Sequence, residues 1–183
     1  MCSADHFRSA LEKAWHFAIG EYGRGRRFRT EAELRDFLYD RLVSELGSRT
    51  VRKEKGSNGK RPDIIIGEDR ADSVAVEIKC AVYETGTIHR EDAERDLDKL
   101  VSYINEGFAH SCFLFFAEFE DQKKVTEIEN RLRHIREKYP QVHYEFFKPC
   151  SKMNFALGYD GKDPECISCS YVGQCRKFEQ IKV

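Results

Sequence analysis

Apolar residues recur along the chain with two periods, near 3.6 and near 2, and their alternation lays out a mixed α/β protein. Phe7, Leu11, Ala14, Trp15 and Ala18 fall three and four apart and predict an amphipathic helix over 4–19, closed by Gly20 and the GRGRR stretch. Thr30 is placed to cap a second helix, with Glu31 and Glu33 in its first turn. Leu34, Phe37, Leu38, Leu42 and Leu46 line one face of that helix, and Gly47 stops it. Val51 suits a short strand, and the GSNG segment reads as a turn. Ile64, Ile65 and Ile66 form a β-branched run, followed by the turn-like GEDRADS. In SVAVEIKC, Val74, Val76 and Ile78 face one way while Ala75, Glu77 and Lys79 face the other.

The helical period returns over 91–106, with Ala93, Leu97, Leu100, Val101 and Ile104 as the apolar stripe. A buried strand follows at 112–116, then a helix through Val125, Ile128, Leu132 and Ile135 that ends near Pro140, then a strand over 142–147. A sheet covered by helices is the layout this order predicts. Residues 1–148 form the expected main domain, with 1–20 as its N-terminal helix. Beyond Pro149 the periodicity fades, and residues 149–183 read as a small Cys-rich tail.

Composition narrows the class. The chain has 183 residues, 40% hydrophobic and 34% charged, so it is expected to hold one domain with an appendage. Its 13 Phe and 8 Tyr supply one core, which excludes disorder throughout. The formal net charge of -1 gives no global attraction to polyanions. No run of about 18 apolar residues predicts a membrane span, and the N-terminus lacks an apolar signal segment. A cytoplasmic protein is therefore expected, in which seven cysteines are not a disulfide framework. Cys80 and Cys112, in strand-like runs, are expected to be small buried hydrophobes.

Local charge is uneven. Arg24, Arg26, Arg27 and Arg29 face only Glu21 in their segment. Arg49, Arg52, Lys53, Lys55, Lys60 and Arg61 face only Glu54, and this second segment runs straight into Pro62 and Asp63. A polyanion docked on Arg52, Lys53, Lys55, Lys60 and Arg61 would be held in a sequence-independent, salt-sensitive way.

Asp63, Glu77 and Lys79 are the candidate chemistry. Glu77 and Lys79 are two apart on one strand and project from one face. If that strand pairs with the Ile-rich strand as a hairpin, Asp63 approaches the same end of the sheet. Carboxylate oxygens suit a hard cation such as Mg²⁺ or Mn²⁺. Asp63 and Glu77 are the expected ligands, with the Ile78 carbonyl as a third. A metal held there lowers the pKa of a bound water and screens phosphate charge. Lys79 is placed to orient that water or to neutralise the pentavalent intermediate. The competing reading of a Glu-x-Lys pair is a solvated strand-face ion pair.

RPDIII, then thirteen residues between Asp63 and Glu77, then the ExK inside VAVEIKC resembles the PD-(D/E)xK superfamily of restriction-endonuclease-like nucleases. The resemblance covers roughly residues 30–147 and implies a core of helix, strands, helix and further strand. It implies Asp63 and Glu77 as metal ligands, Lys79 as catalytic lysine, and a further acidic residue on the preceding helix. Glu31 lies about 60° from the centre of the apolar stripe and Glu33 about 100°, so Glu31 is the better candidate. The helix REDAERDLDKLVSYI resembles the one that follows ExK in that superfamily. Arg90, Arg95 and Lys99 on it are within possible reach of a phosphate, although Arg95 and Lys99 read better as an ordinary charged helix face.

In the tail, Cys166, Cys169 and Cys175 have a spacing that grips one soft metal ion. A fourth ligand is needed. Cys150 is nearest in sequence, which favours Zn²⁺, because local ligands need no long-range closure. CISCSYVGQC also resembles the C-terminal cysteine motif of the RecB-like, CRISPR-associated exonucleases. That resemblance implies a [4Fe–4S] cluster with Cys2 in place of Cys150. The six histidines show no mutual metal spacing.

The sequence therefore predicts a Mg²⁺-dependent deoxyribonuclease on an α/β, restriction-endonuclease-like core, with a metal-binding cysteine tail. DNA is the expected partner and RNA the alternative polymer; a homodimer is one arrangement open to so small a nuclease. The rival expectation is a non-catalytic nucleic-acid-binding or assembly module on the same fold.

Overall fold

The computed structural model describes residues 3–53, 61–81, 90–117 and 122–147, with backbone only at 90–93 and 122. Cys2, Lys55, Lys60, Cys150, Cys166, Cys169 and Cys175, and with them the whole cysteine site, lie outside the described residues. The elements are α1 (Ala4–Gly23), α2 (Glu31–Leu46), β1 (Val51–Lys53), β2 (Ile64–Ile66), β3 (Val74–Ala81), α3 (Arg90–Asn105), β4 (His110–Ala117), α4 (Gln122–Lys138) and β5 (Val142–Phe147).

The five strands form one sheet in the order β1-β2-β3-β4-β5. The first three pair antiparallel as successive hairpins. β3, β4 and β5 then pair in parallel, each crossover being made by a helix, α3 or α4. Val74, Val76, Ile78 and Cys80 share a buried cluster with Trp15, Leu34, Leu38 and Leu42, so α1 and α2 cover one face. Ala81, Phe113 and Phe115 share another with Leu97, Leu100, Val125 and Leu132, so α3 and α4 cover the opposite face. The protein is thus a mixed α/β fold with helices on both faces of a mixed sheet. Cys80 and Cys112 are free and buried.

Local chemistry accounts for the ends of α2. The Thr30 hydroxyl accepts from the Glu33 N–H at 3.2 Å, and the Glu33 carboxylate accepts from the Arg29 N–H at 2.7 Å, a capping arrangement that ties Glu33 down. Glu31 is left to reach the sheet. α1 differs from expectation: it continues through Gly20 to Gly23. Burial of Tyr22 explains this, since its ring packs edge-on against Phe116 and Phe147 at centroid distances of 5.1 and 5.6 Å. Aromatic burial outweighs the cost of a helical glycine, about 1 kcal/mol.

The turn between β2 and β3 needs Gly67. Its φ is +120°, and an added Cβ would lie 2.4 Å from the Ser73 hydroxyl oxygen. Its N–H also donates to the Thr50 carbonyl at 2.8 Å, tying β1 into the same turn. That geometry fixes the register Ile66↔Val74 and Ile64↔Val76 and hence which face Glu77 and Lys79 occupy.

Candidate active site

The β2–β3 ladder reaches Ile64↔Val76, and Asp63 extends it by one rung. The Asp63 N–H donates to the Val76 carbonyl at 2.9 Å, and Asp63 Oδ2 accepts from the Ile78 N–H at 2.8 Å. A carboxylate thereby takes the place of a strand residue beside β3. Its other oxygen lies 3.5 Å from an Arg35 guanidinium nitrogen on α2.

Glu77 points to the α3 side of the sheet and is only 3% exposed. The Tyr103 hydroxyl donates to its Oε1, and Lys99 Nζ sits 3.2 Å from its Oε2. Lys79 projects from the same face. Its Nζ is 2.9 Å from Asp96 Oδ2 and 3.7 Å from Glu31 Oε2. Asp96, itself buried, also binds Lys99 at 2.7 Å. Glu31, Asp63, Glu77 and Lys79 are therefore brought to one place, from the start of α2, the start of β2 and the middle of β3.

Asp96, Tyr103 and Arg35 were not among the residues singled out for the site. Lys99 is a correction: it is not part of a solvated helix face but closes the cluster between Glu77 and Asp96. Asp96 and Tyr103 are seven apart, two turns along α3, and flank its apolar stripe of Leu97, Leu100 and Ile104. An acidic and an aromatic residue side by side along one edge of that stripe were the legible signal. Arg95 is exposed, in keeping with a helix surface position, and the Arg90 side chain is outside the described residues.

Among the described residues, four carboxylates, Glu31, Asp63, Glu77 and Asp96, face three cations here, Arg35, Lys79 and Lys99. Burial, reinforced by the Asp63 charge and opposed by Tyr103 and Lys99, pushes the Glu77 carboxyl up to about 8. Burial also raises Asp63, partly offset by the Ile78 N–H and Arg35. Glu31 is raised by burial, with Lys79 acting in the opposite sense. Lys99 is pulled down by burial but carried upward overall by Asp96 and Glu77.

Among the described residues, no three His, Cys, Asp or Glu side chains are grouped closely enough to hold a metal ion. The carboxylates are spread by the lysines and the arginine between them. The donor set nevertheless suits a hard divalent cation: Asp63 and Glu77 offer carboxylate oxygens, and each oxygen keeps a lone pair beside its present partner.

The basic residues before Asp63 have intramolecular contacts. Lys53 binds Asp36 at 3.1 Å and lies over the Tyr39 ring at 4.4 Å. Arg52 donates to the Gly67 and Glu68 carbonyls at 3.2 and 3.3 Å. Arg52, Arg61 and Arg70 line a cleft of about 490 Å³ beside Pro62, which Glu68, Asp69 and Glu106 also border. Among the described residues, no helix is long and apolar enough to cross a membrane.

Comparison with protein-family models, with curated proteins and with solved structures found no match for this chain.

Proposed function

We propose that the chain is a metal-dependent nuclease that hydrolyses DNA phosphodiester bonds. The observation that carries this reading is the convergence of Glu31, Asp63, Glu77 and Lys79 at one half-buried position beside β3. The element order α2-β1-β2-β3-α3-β4 supports it, because a restriction-endonuclease-like core is what the PD-(D/E)xK resemblance implies.

Asp63, Glu77 and the Ile78 carbonyl would hold Mg²⁺ or Mn²⁺. When bound, such a cation supplies a water of lowered pKa and a charge to screen the phosphate. Lys79 holds its ammonium at the cluster through Asp96 and Glu31, where it can hydrogen-bond that water or a phosphate oxygen. Tyr103 and Lys99 fix the Glu77 carboxylate in one orientation. Asp63 is held by the Ile78 N–H.

A second reading, a nucleic-acid-binding or assembly module without catalysis, is favoured by one observation: both Glu77 oxygens already have partners within the protein. Incubating end-labelled DNA with the protein in Mg²⁺, in Mn²⁺ and in EDTA decides between them. Metal-dependent products support the nuclease. Intact DNA with a folded, fully metallated protein supports the module.

The tail adds a structural metal to the proposal, Zn²⁺ through Cys150, Cys166, Cys169 and Cys175, or a [4Fe–4S] cluster with Cys2 replacing Cys150. Metal analysis together with absorbance near 400 nm after anaerobic purification distinguishes the two.

A further inference from the structure

The outer surface of α1 and α2 carries a four-layer stack. The Phe17 and Phe37 rings are nearly parallel, 5° apart, with centroids separated by 5.9 Å. The Arg41 guanidinium lies 4.4 Å from the Phe17 centroid, and the Arg26 guanidinium lies 4.3 Å from that of Phe37. Arg26 also approaches the Phe28 ring at 5.5 Å. Phe17 is 38% exposed, and no other large apolar side chain among the described residues is classed as exposed.

The two arginines differ from others on the surface. Arg8, Arg24, Arg35, Arg70, Arg131 and Arg133 each pair with a carboxylate. Arg26 and Arg41 make no ion pair among the described residues; the ring stack holds them instead. A stacked guanidinium has lost much of its rotamer freedom and still presents its N–H edge. That edge matches the fork of two phosphate oxygens. Two such groups, beside the further arginines of residues 24–29, make a local excess of positive charge in a chain whose net charge is -1.

The stack and the candidate active site share helix α2. Arg26 precedes Glu31 by five residues, and Arg41 follows it by ten on the same helix, about 15 Å along the axis.

We propose that the Arg26–Phe37–Phe17–Arg41 stack is an anchor for the phosphates of a nucleic-acid strand. This rests on the nucleic-acid reading of the site and extends it to the place where the strand is gripped. The contact is sequence-independent, because it uses phosphates and not base edges.

The test is binding of a fluorescently labelled oligothymidylate of about 20 nucleotides, in EDTA, over a range of NaCl concentrations. The samples are the wild type, R26Q/R41Q, R26K/R41K and a control that removes two charges from α4, K123Q/R133Q. Two lost phosphate contacts on a single strand lower the steepness of log K against log salt by about 1.4. R26Q/R41Q is expected to show that fall and at least tenfold weaker binding near 0.1 M salt. R26K/R41K should keep the slope but lose affinity, and the control should keep both.

An unchanged slope in R26Q/R41Q, an equal fall in the control, full affinity in R26K/R41K, or no binding by the wild type would each overturn the anchor. Wild-type binding to polyglutamate in preference to the oligonucleotide would assign the surface to an acidic protein and also overturn it. The nuclease reading fails separately. A strand that R26Q/R41Q cuts in Mg²⁺ but binds with the wild-type slope refutes only the anchor. A strand gripped as expected but never cut refutes only the nuclease.

Discussion

Replacing Glu77 by Gln should stabilise the protein at alkaline pH relative to the wild type, and the gain should vanish in acid. Glu77 is 3% exposed, and its carboxyl is pushed up to about 8, mainly by burial. In the unfolded chain it titrates near its ordinary value of 4.5. A carboxyl whose folded pKa is raised contributes stability that is present below the unfolded pKa and is lost as pH rises towards the folded one. Each pH unit in that window costs at most about 1.4 kcal/mol. The value of about 8 already includes the opposing pull of Lys99 and Tyr103, so the loss between pH 5 and pH 8.5 is on the order of 2–4 kcal/mol. Gln carries no charge, so the variant does not pay this cost. It loses the charge contact to Lys99, which adds an offset to the comparison but does not reproduce the pH trend set by Glu77. Thermal unfolding in EDTA should therefore show the difference in Tm, variant minus wild type, growing by roughly 5–15 °C from pH 5 to pH 8.5. A difference that stays constant across this range, or shrinks, would refute the picture of a carboxyl raised by burial.

The neighbouring contacts carry further expectations. Lys99→Met removes the cation shared by two buried carboxylates, Glu77 and Asp96, and should cost about 2–4 kcal/mol by denaturant unfolding, more at pH 8.5 than at pH 6. Gly67→Ala should cost about 2–4 kcal/mol, because φ is +120° and the new methyl meets Ser73; equal stability would show that the turn is not fixed. Leu38→Ala, at a fully buried position between α2 and the sheet, should cost about 2–5 kcal/mol in the same assay. If the proposed tail site binds a metal, Cys169→Ser should lower the metal content of the purified protein, and equal content would refute that site.

Much of the fold was legible because single residues impose it. Thr30 and Glu33 mark the start of α2 by capping, and the alternation in VAVEIKC separates Val76 and Ile78 from Glu77 and Lys79. The hairpin that brings Asp63 to β3 follows from two short β-branched runs around a glycine turn. The choice of Glu31 over Glu33 also had a physical basis, and the structure shows where each goes: Glu33 caps, while Glu31 approaches Lys79. What stayed hidden depends on tertiary distance. Nothing in the chain places Lys99 nearer Glu77 than solvent until α3 is laid across the sheet. The length of α1 was likewise decided by the Tyr22 contacts with Phe116 and Phe147, which no local pattern contains. His110 and His143 lie 33 residues apart, yet their rings meet at 3.2 Å across adjacent strands. Burial, reinforced by His110, holds His143 down at about 4, so its imidazole is neutral at physiological pH.

Cleavage of end-labelled single- and double-stranded DNA by the wild type and by folded Lys79→Ala, with Mg²⁺ or Mn²⁺ and with EDTA, tests the central claim most directly. The account predicts products only with wild type and metal, and a fall of at least about 10²–10³-fold in the variant, the range seen when one positioned electrostatic donor is lost. Uncut DNA with the folded, metallated wild type, or equal cutting by the variant, would contradict it.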